Sequence, residues 1–179
     1  MAAVEQFWAV AAVAGRVCAG LVFLLAAAQK LGHRRILSGV IANYRLLPRW
    51  AAMPAAMVLP PLELTVAVFL LCAPAAPWAA LAGIALLMLF ADAMAINLLK
   101  GRAEIDCGCG QSFLKQSLRW ILVSRNVVLA SLLLPSLASG PLNWAVVMAG
   151  VPAGLALFLL YLLLNTLSAL PRSDGPRFA

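Results

Sequence analysis

The chain has 179 residues, of which 65% are hydrophobic and only 11% are charged, and its mean hydropathy is +1.01. A water-soluble domain cannot bury so much apolar surface, so the composition excludes a soluble globular protein. The net charge of +7 does not indicate nucleic-acid binding, because the cations lie in short connections between apolar runs. The whole chain, residues 1–179, is predicted to form a single membrane domain.

Five apolar runs predict five transmembrane helices, since about 20 apolar residues are needed to cross the hydrocarbon layer. The predicted spans, in chain order, are residues 7–31, 51–73, 78–99, 118–138 and 144–170. Proline or glycine interrupts the connections after the first, second and fourth spans, and residues 171–179 form a short polar tail. The predicted fold is an all-α integral membrane protein, with most of its surface facing the lipid bilayer.

The distribution of cations predicts the orientation of the chain. Lys and Arg residues fall in alternate connections and in the tail, at Lys30, Arg34, Arg35, Arg45, Arg49, Lys100, Arg102, Lys115, Arg119, Arg172 and Arg177. The positive-inside rule places these connections in the cytoplasm. With five spans, the N-terminus is therefore predicted outside, and the C-terminus and the loop between the third and fourth spans inside.

Four ionisable residues lie within the predicted spans: Arg16, Glu63, Asp92 and Arg125. Each would cost at least ~2.5 kcal/mol alone at the bilayer centre. At about 1.5 Å per residue, Arg16 and Glu63 lie at similar depths from the outer ends of their spans, and Asp92 and Arg125 at similar depths from the inner ends. The depths predict two ion pairs, which either fix the helix register or serve a proton relay or a ligand pocket.

One face of the first span combines charged and small residues. Its members recur at helical spacing, at Arg16, Gly20, Phe23, Ala27 and Lys30. Small residues on a transmembrane helix let neighbouring helices approach closely. This face is predicted to point into the bundle.

The four cysteines fall into two classes. Cys18 and Cys72 stand alone in apolar runs, where cysteine usually acts as a small buried hydrophobe. Cys107 and Cys109 are separated by one glycine in a loop and follow Asp106. Such a pair indicates either a thiol–disulfide redox motif, whose strained disulfide would exchange readily, or two thiolate ligands for a soft metal such as Cu(I). Asp106 would oppose the thiolate or accept its proton.

A set of polar motifs distributed over four spans resembles a known family. The motifs are Arg16 to Lys30, Pro61-Leu62-Glu63, Gly101-Arg102 before Asp106-Cys107-Gly108-Cys109, and Arg125-Asn126. Together they resemble the MauE family of methylamine-utilisation membrane proteins, which is related to the DoxX-like redox-associated proteins. The family motif usually continues with Phe-Gly, where this chain has Gly110-Gln111.

The resemblance implies a four-helix transmembrane bundle over residues 7–138, with the helix at 144–170 as an addition. It also implies a thiol–disulfide oxidoreductase of the bacterial inner membrane that assists disulfide formation or maturation of an exported enzyme, with methylamine dehydrogenase as the candidate. A thioredoxin-like protein is the implied partner, and Cys107, Cys109 and Asp106 are the implied reactive residues. The thiol pair could also exchange electrons with a membrane quinone.

Two other functions remain open from the sequence. One is a copper-type metal transporter or chaperone that uses Cys107 and Cys109 as ligands. The other is a non-catalytic scaffold for maturation proteins. A role in the maturation of an exported enzyme conflicts with the cytoplasmic side predicted for the loop that holds Cys107 and Cys109. Either this loop folds back into the bundle, or electrons cross the membrane through the protein.

Overall fold

The computed structural model describes residues 2–32, 34–72, 77–102, 118–138 and 143–169. Within these ranges every regular element is helical. Six α-helices, α1 to α6, span Ala2–Gly32, Arg34–Tyr44, Arg49–Cys72, Pro77–Leu99, Trp120–Leu133 and Trp144–Ala169, and a 3₁₀ turn at Leu134–Leu137 extends α5. Five of the described helices, all except α2, are long and apolar enough to cross a membrane. The predicted all-α membrane fold is confirmed.

Tryptophans mark the starts of four spanning helices. Trp50, Trp78, Trp120 and Trp144 are the first or second residues of α3, α4, α5 and α6, and all four side chains are more than half exposed. Tryptophan is enriched where a helix meets the headgroup region, because its ring is apolar and its N–H is polar. Successive helices therefore present aromatic anchors at alternate membrane surfaces.

Helix α2 differs from the sequence-based expectation. The many cations between the first two spans predicted a connection, whereas Arg34–Tyr44 is an α-helix. Its apolar residues Leu37, Val40, Ile41 and Tyr44 recur at the spacing of one helical face. Leu37 on this face is buried, and α2 packs against α3. The connection is thus an amphipathic helix that forms one wall of the bundle.

Helix α1 is the centre of the bundle. It contacts α2, α3, α5, α6 and the 3₁₀ turn, while α4 packs mainly against α5. Of the most apolar stretch of α1, 56% is buried, against 17% for α6. The predicted inward face of α1 is confirmed, since all five of its residues are buried.

Close helix contacts in the bundle depend on glycine. A Cβ atom on Gly15 would lie 2.0 Å from the carbonyl oxygen of Leu132 in α5. A Cβ atom on Gly154 of α6 would lie 2.6 Å from that of Val17. Gly150, one turn earlier in α6, is equally close to Val13. The four-residue glycine spacing lets α6 lie directly against α1, as in other transmembrane helix pairs.

Candidate functional site

A buried ion pair joins α1 to α3. The Lys30 ammonium donates a hydrogen bond to the Glu63 Oε1, and the two side chains are 7% and 0% exposed. A charge in the low-dielectric interior is expensive unless it is paired, so each residue stabilises the other in this position. The pair fixes the register of the two helices and places two charged groups inside the bundle.

Glu63 follows two prolines in the middle of α3. Pro60 and Pro61 lack the N–H that would continue the hydrogen-bond ladder, yet α3 stays helical from Arg49 to Cys72. The Thr65 hydroxyl donates a hydrogen bond of 2.8 Å to the Pro61 carbonyl, one turn earlier in the same helix. Pro60 is buried three residues before Glu63 on α3, so the backbone leading to Glu63 is restricted by two proline rings.

A third helix completes the environment of Lys30. The Lys30 Nζ lies 4.8 Å from the centroid of the Phe90 ring in α4. This is a cation–π distance, and the interaction is stronger where water is excluded. The ion pair therefore lies where α1, α3 and α4 meet.

A partly open cavity of about 370 Å³ lies against this ion pair. Its walls come from α1 to α4 and the connection after α2, and include Lys30, Leu37, Ile41, Tyr44, Leu59, Phe90 and Met94. The lining is almost entirely carbon, and Lys30 is its charged residue. Cavities of this size, apolar with few polar groups, are typical of small-molecule sites.

The structure gives Glu63 a different cation from the one predicted. The prediction paired Glu63 with Arg16, whereas the ion pair is made by Lys30. Arg16 is buried in α1, 14 residues before Lys30 and so about 21 Å away along the helix axis. The depths counted from the helix ends gave the wrong partner for Glu63, because α1 extends beyond the end of α3. A Cβ on Gly20 would contact Leu71, which lies one residue before α3 ends.

The second predicted pair, Asp92 with Arg125, is not joined by an ion pair among the described residues. The Arg125 Nη1 instead donates a hydrogen bond of 2.5 Å to the Asn165 Oδ1 in α6. The guanidinium carbon also lies 5.4 Å from the centroid of the Tyr161 ring. Asp92 is exposed on α4. The fifth spanning helix therefore supplies the partners of the cation in α5.

Two buried asparagines were not predicted as part of a site. Asn97 of α4 is fully buried, and its Nδ2 donates a hydrogen bond of 3.0 Å to the Ala93 carbonyl. Asn126 of α5 is also buried. In the described part of the chain, the Asn97 Oδ1 and the Asn126 Nδ2 have no hydrogen-bond partner. Asn97 is a lone asparagine in an apolar run, whereas Asn126 belongs to the Arg125-Asn126 motif, so the sequence held a signal for each.

Cys107, Cys109 and Asp106 lie in residues 103–117, outside the described residues. The chain on either side is well anchored. The Arg102 N–H donates a hydrogen bond of 2.9 Å to the Asn97 carbonyl, and Leu118 is 1% exposed. Leu118 packs in one cluster with Met94, Tyr44 and Phe90, three residues that line the cavity.

The other two cysteines, Cys18 and Cys72, lie within the described residues. Cys18 is buried and Cys72 is exposed, and both are free thiols. Within the described ranges no three His, Cys, Asp or Glu side chains lie together as metal ligands do. Among the charged residues described, Lys30 lines the cavity, and Glu63 is its partner in the ion pair.

Comparison with known proteins identifies the family. Residues 8–139 match the family described as methylamine utilisation protein MauE. The chain is 43% identical over 160 residues to the methylamine utilization protein MauE of Paracoccus denitrificans, covering 87% of this chain and 86% of that protein. It is 45% identical over 154 residues to that of Methylorubrum extorquens, covering 81% and 82%.

A third relative, the methylamine utilization protein MauE of Methylophilus methylotrophus, is 46% identical over 89 residues, covering 50% of this chain and 47% of that protein. No solved structure matches the chain. The matched residues include the ion pair of Lys30 and Glu63, the cavity, and the cysteines at 107 and 109. The chain therefore belongs to the MauE family of methylamine utilisation proteins.

Proposed function

We propose that the protein is a thiol–disulfide redox protein of the bacterial inner membrane that assists maturation of an exported enzyme of methylamine utilisation. Cys107 and Cys109 are the reactive pair, and they exchange electrons with a thioredoxin-like partner. Methylamine dehydrogenase is the candidate enzyme. The names of the relatives support the link to methylamine utilisation, and the glycine-spaced cysteines support the redox chemistry.

The observation that carries this proposal is the position of the chain on either side of the cysteines. Leu118 is packed among Tyr44, Phe90 and Met94, beside the cavity. Leu118, the first described residue after the cysteines, thus lies at the end of the bundle where Lys30 and Glu63 lie. Lysine and glutamate can hold and release protons, and thiol–disulfide exchange needs both thiolates and protonated thiols. Asp106, directly before Cys107, would assist the same proton transfer.

Differential alkylation tests the redox cycle. Purified protein treated with reductant is expected to expose two more alkylatable thiols than protein treated with a disulfide oxidant, because Cys107 and Cys109 alternate between dithiol and disulfide. Cys107→Ser and Cys109→Ser should each abolish this difference and the maturation of the exported enzyme. Cys72→Ser is the matched control, since Cys72 is an exposed free thiol, and it should leave both unchanged.

The other outcomes contradict the proposal. An equal thiol count in both conditions would show that no disulfide forms. A stoichiometric soft metal that is retained on purification and lost from the double serine variant would identify a metal site instead. Full enzyme maturation by the cysteine variants would identify a scaffold.

The proposed orientation places the N-terminus outside the cell and the C-terminus in the cytoplasm. The support for this orientation is the concentration of Lys and Arg in alternate connections. Helix α3 begins at Arg49 and ends at Cys72, so Cys72 should face the outside. A membrane-impermeant maleimide is expected to label Cys72 in intact spheroplasts of a Cys107→Ser, Cys109→Ser variant, while Cys72→Ser in the same background gives the blank. Labelling of Cys72 only in inverted vesicles would reverse the orientation.

A further inference from the structure

The cavity beside Lys30 and Glu63 has the dimensions of a ligand site. It holds about 370 Å³, within the roughly 300–1,000 Å³ of pockets that bind small molecules. Leu46 and Leu47, in the connection after α2, line the cavity and are also exposed at the surface. Because α3 and α4 cross the membrane, a lipid-soluble molecule can reach it.

The polar end of the cavity determines which head group a bound lipid-soluble molecule can have. Lys30 Nζ carries three N–H donors, and the pair with Glu63 uses one of them. The pair is neutral as a whole, and the Glu63 carboxylate would repel an anionic phosphate placed beside Lys30. A neutral head that accepts hydrogen bonds, such as a ring carbonyl, fits better. Phe90 and Tyr44 also line the cavity, and aromatic side chains pack favourably against a planar ring.

We propose that this cavity binds a membrane quinone, with a ring carbonyl accepting a hydrogen bond from the Lys30 ammonium and the apolar tail lying between α2, α3 and α4. Binding follows from the cavity alone. The role of the quinone as electron acceptor rests on the proposed redox function. Closing the disulfide of Cys107 and Cys109 releases two electrons and two protons, and reducing one quinone to one quinol consumes both.

Blocking the cavity tests the proposal without disturbing the ion pair. Decylubiquinone is the probe, and its binding to the full protein in lipid nanodiscs is measured by calorimetry. Ala93 lies in the cavity wall on α4, so Ala93→Phe should fill the site and weaken binding about tenfold or more. Ala85→Phe is the matched control, because Ala85 is an exposed alanine of the same helix and should bind as the parent does.

The contribution of the ion pair is tested with a variant that leaves no stranded charge. Lys30→Met combined with Glu63→Gln removes the ammonium donor and should weaken decylubiquinone binding about tenfold, the value of one good hydrogen bond. Decylbenzene, which has the tail but no carbonyl, should bind correspondingly weakly to the parent protein. Equal affinity for decylbenzene would identify an acyl-chain site and overturn the proposal. Absence of decylubiquinone binding, or unchanged binding by Ala93→Phe, would also overturn it.

The same measurement on the Cys107→Ser, Cys109→Ser variant separates the two proposals. Binding of decylubiquinone by this variant is expected to match that of the parent, because the cavity residues are unchanged. If binding holds but the thiols of the parent never cycle, the redox function fails and the quinone site stands. If the thiols cycle but decylubiquinone does not bind, the quinone site fails and the redox function stands.

Discussion

Replacing Lys30 by Met is expected to lower the free energy of unfolding by about 3–5 kcal/mol, because the Glu63 carboxylate then loses the buried ammonium beside it. Glu63 is 0% exposed, so its carboxylate would lose the ammonium without gaining direct contact with bulk water. Glu63→Gln should cost a similar amount for the converse reason. The measurement is reversible unfolding by sodium dodecyl sulfate in mixed micelles.

The double variant shows whether the loss comes from the pair. Lys30→Met combined with Glu63→Gln should be much milder than the sum of the two single changes, because no charge is left unpaired. Lys100→Met is the matched control: Lys100 is exposed at the end of α4, and its removal should change stability by less than about 0.5 kcal/mol. Additive losses in the cycle would show that the two residues do not depend on each other. If Lys30→Met and Glu63→Gln were each as stable as the parent protein, the ion pair would not stabilise the fold, and its role would be limited to ligand binding.

The fold was largely predictable from the sequence because each membrane span must be apolar for about 20 residues. The second predicted span, residues 51–73, differs from Arg49–Cys72 by two residues at its start and one at its end. Helix α2 was missed because the cations around it suggested a connection, although its apolar spacing was helical. Composition is therefore the better predictor of a helix that enters lipid, and the periodicity of apolar residues is the better predictor of a helix that lies at the surface.

The candidate site was less predictable, because it depends on how far one helix slides along another. The inward face of α1 could be read from its spacing, and Lys30 was placed on it correctly. Its partner could not be read, since the depth of Glu63 relative to Lys30 depends on the overhang of α1 beyond α3. The interaction of Arg125 with Asn165 has the same origin: only packing shows that α5 turns this cation toward α6.

Gly15→Ala is expected to destabilise the bundle by about 1–3 kcal/mol, although alanine is the better helix former by about 1 kcal/mol. The added methyl would lie 2.0 Å from the Leu132 carbonyl oxygen, and backbone atoms cannot rotate away as a side chain can. Helices α1 and α5 would have to separate along their contact. Gly39→Ala is the matched control, because a Cβ on Gly39 in α2 meets nothing within 4 Å, and it should be neutral or slightly stabilising. The measurement is again unfolding in mixed micelles. A Gly15→Ala variant as stable as Gly39→Ala would mean that α1 and α5 do not touch at Gly15, and the central position of α1 in the bundle would have to be revised.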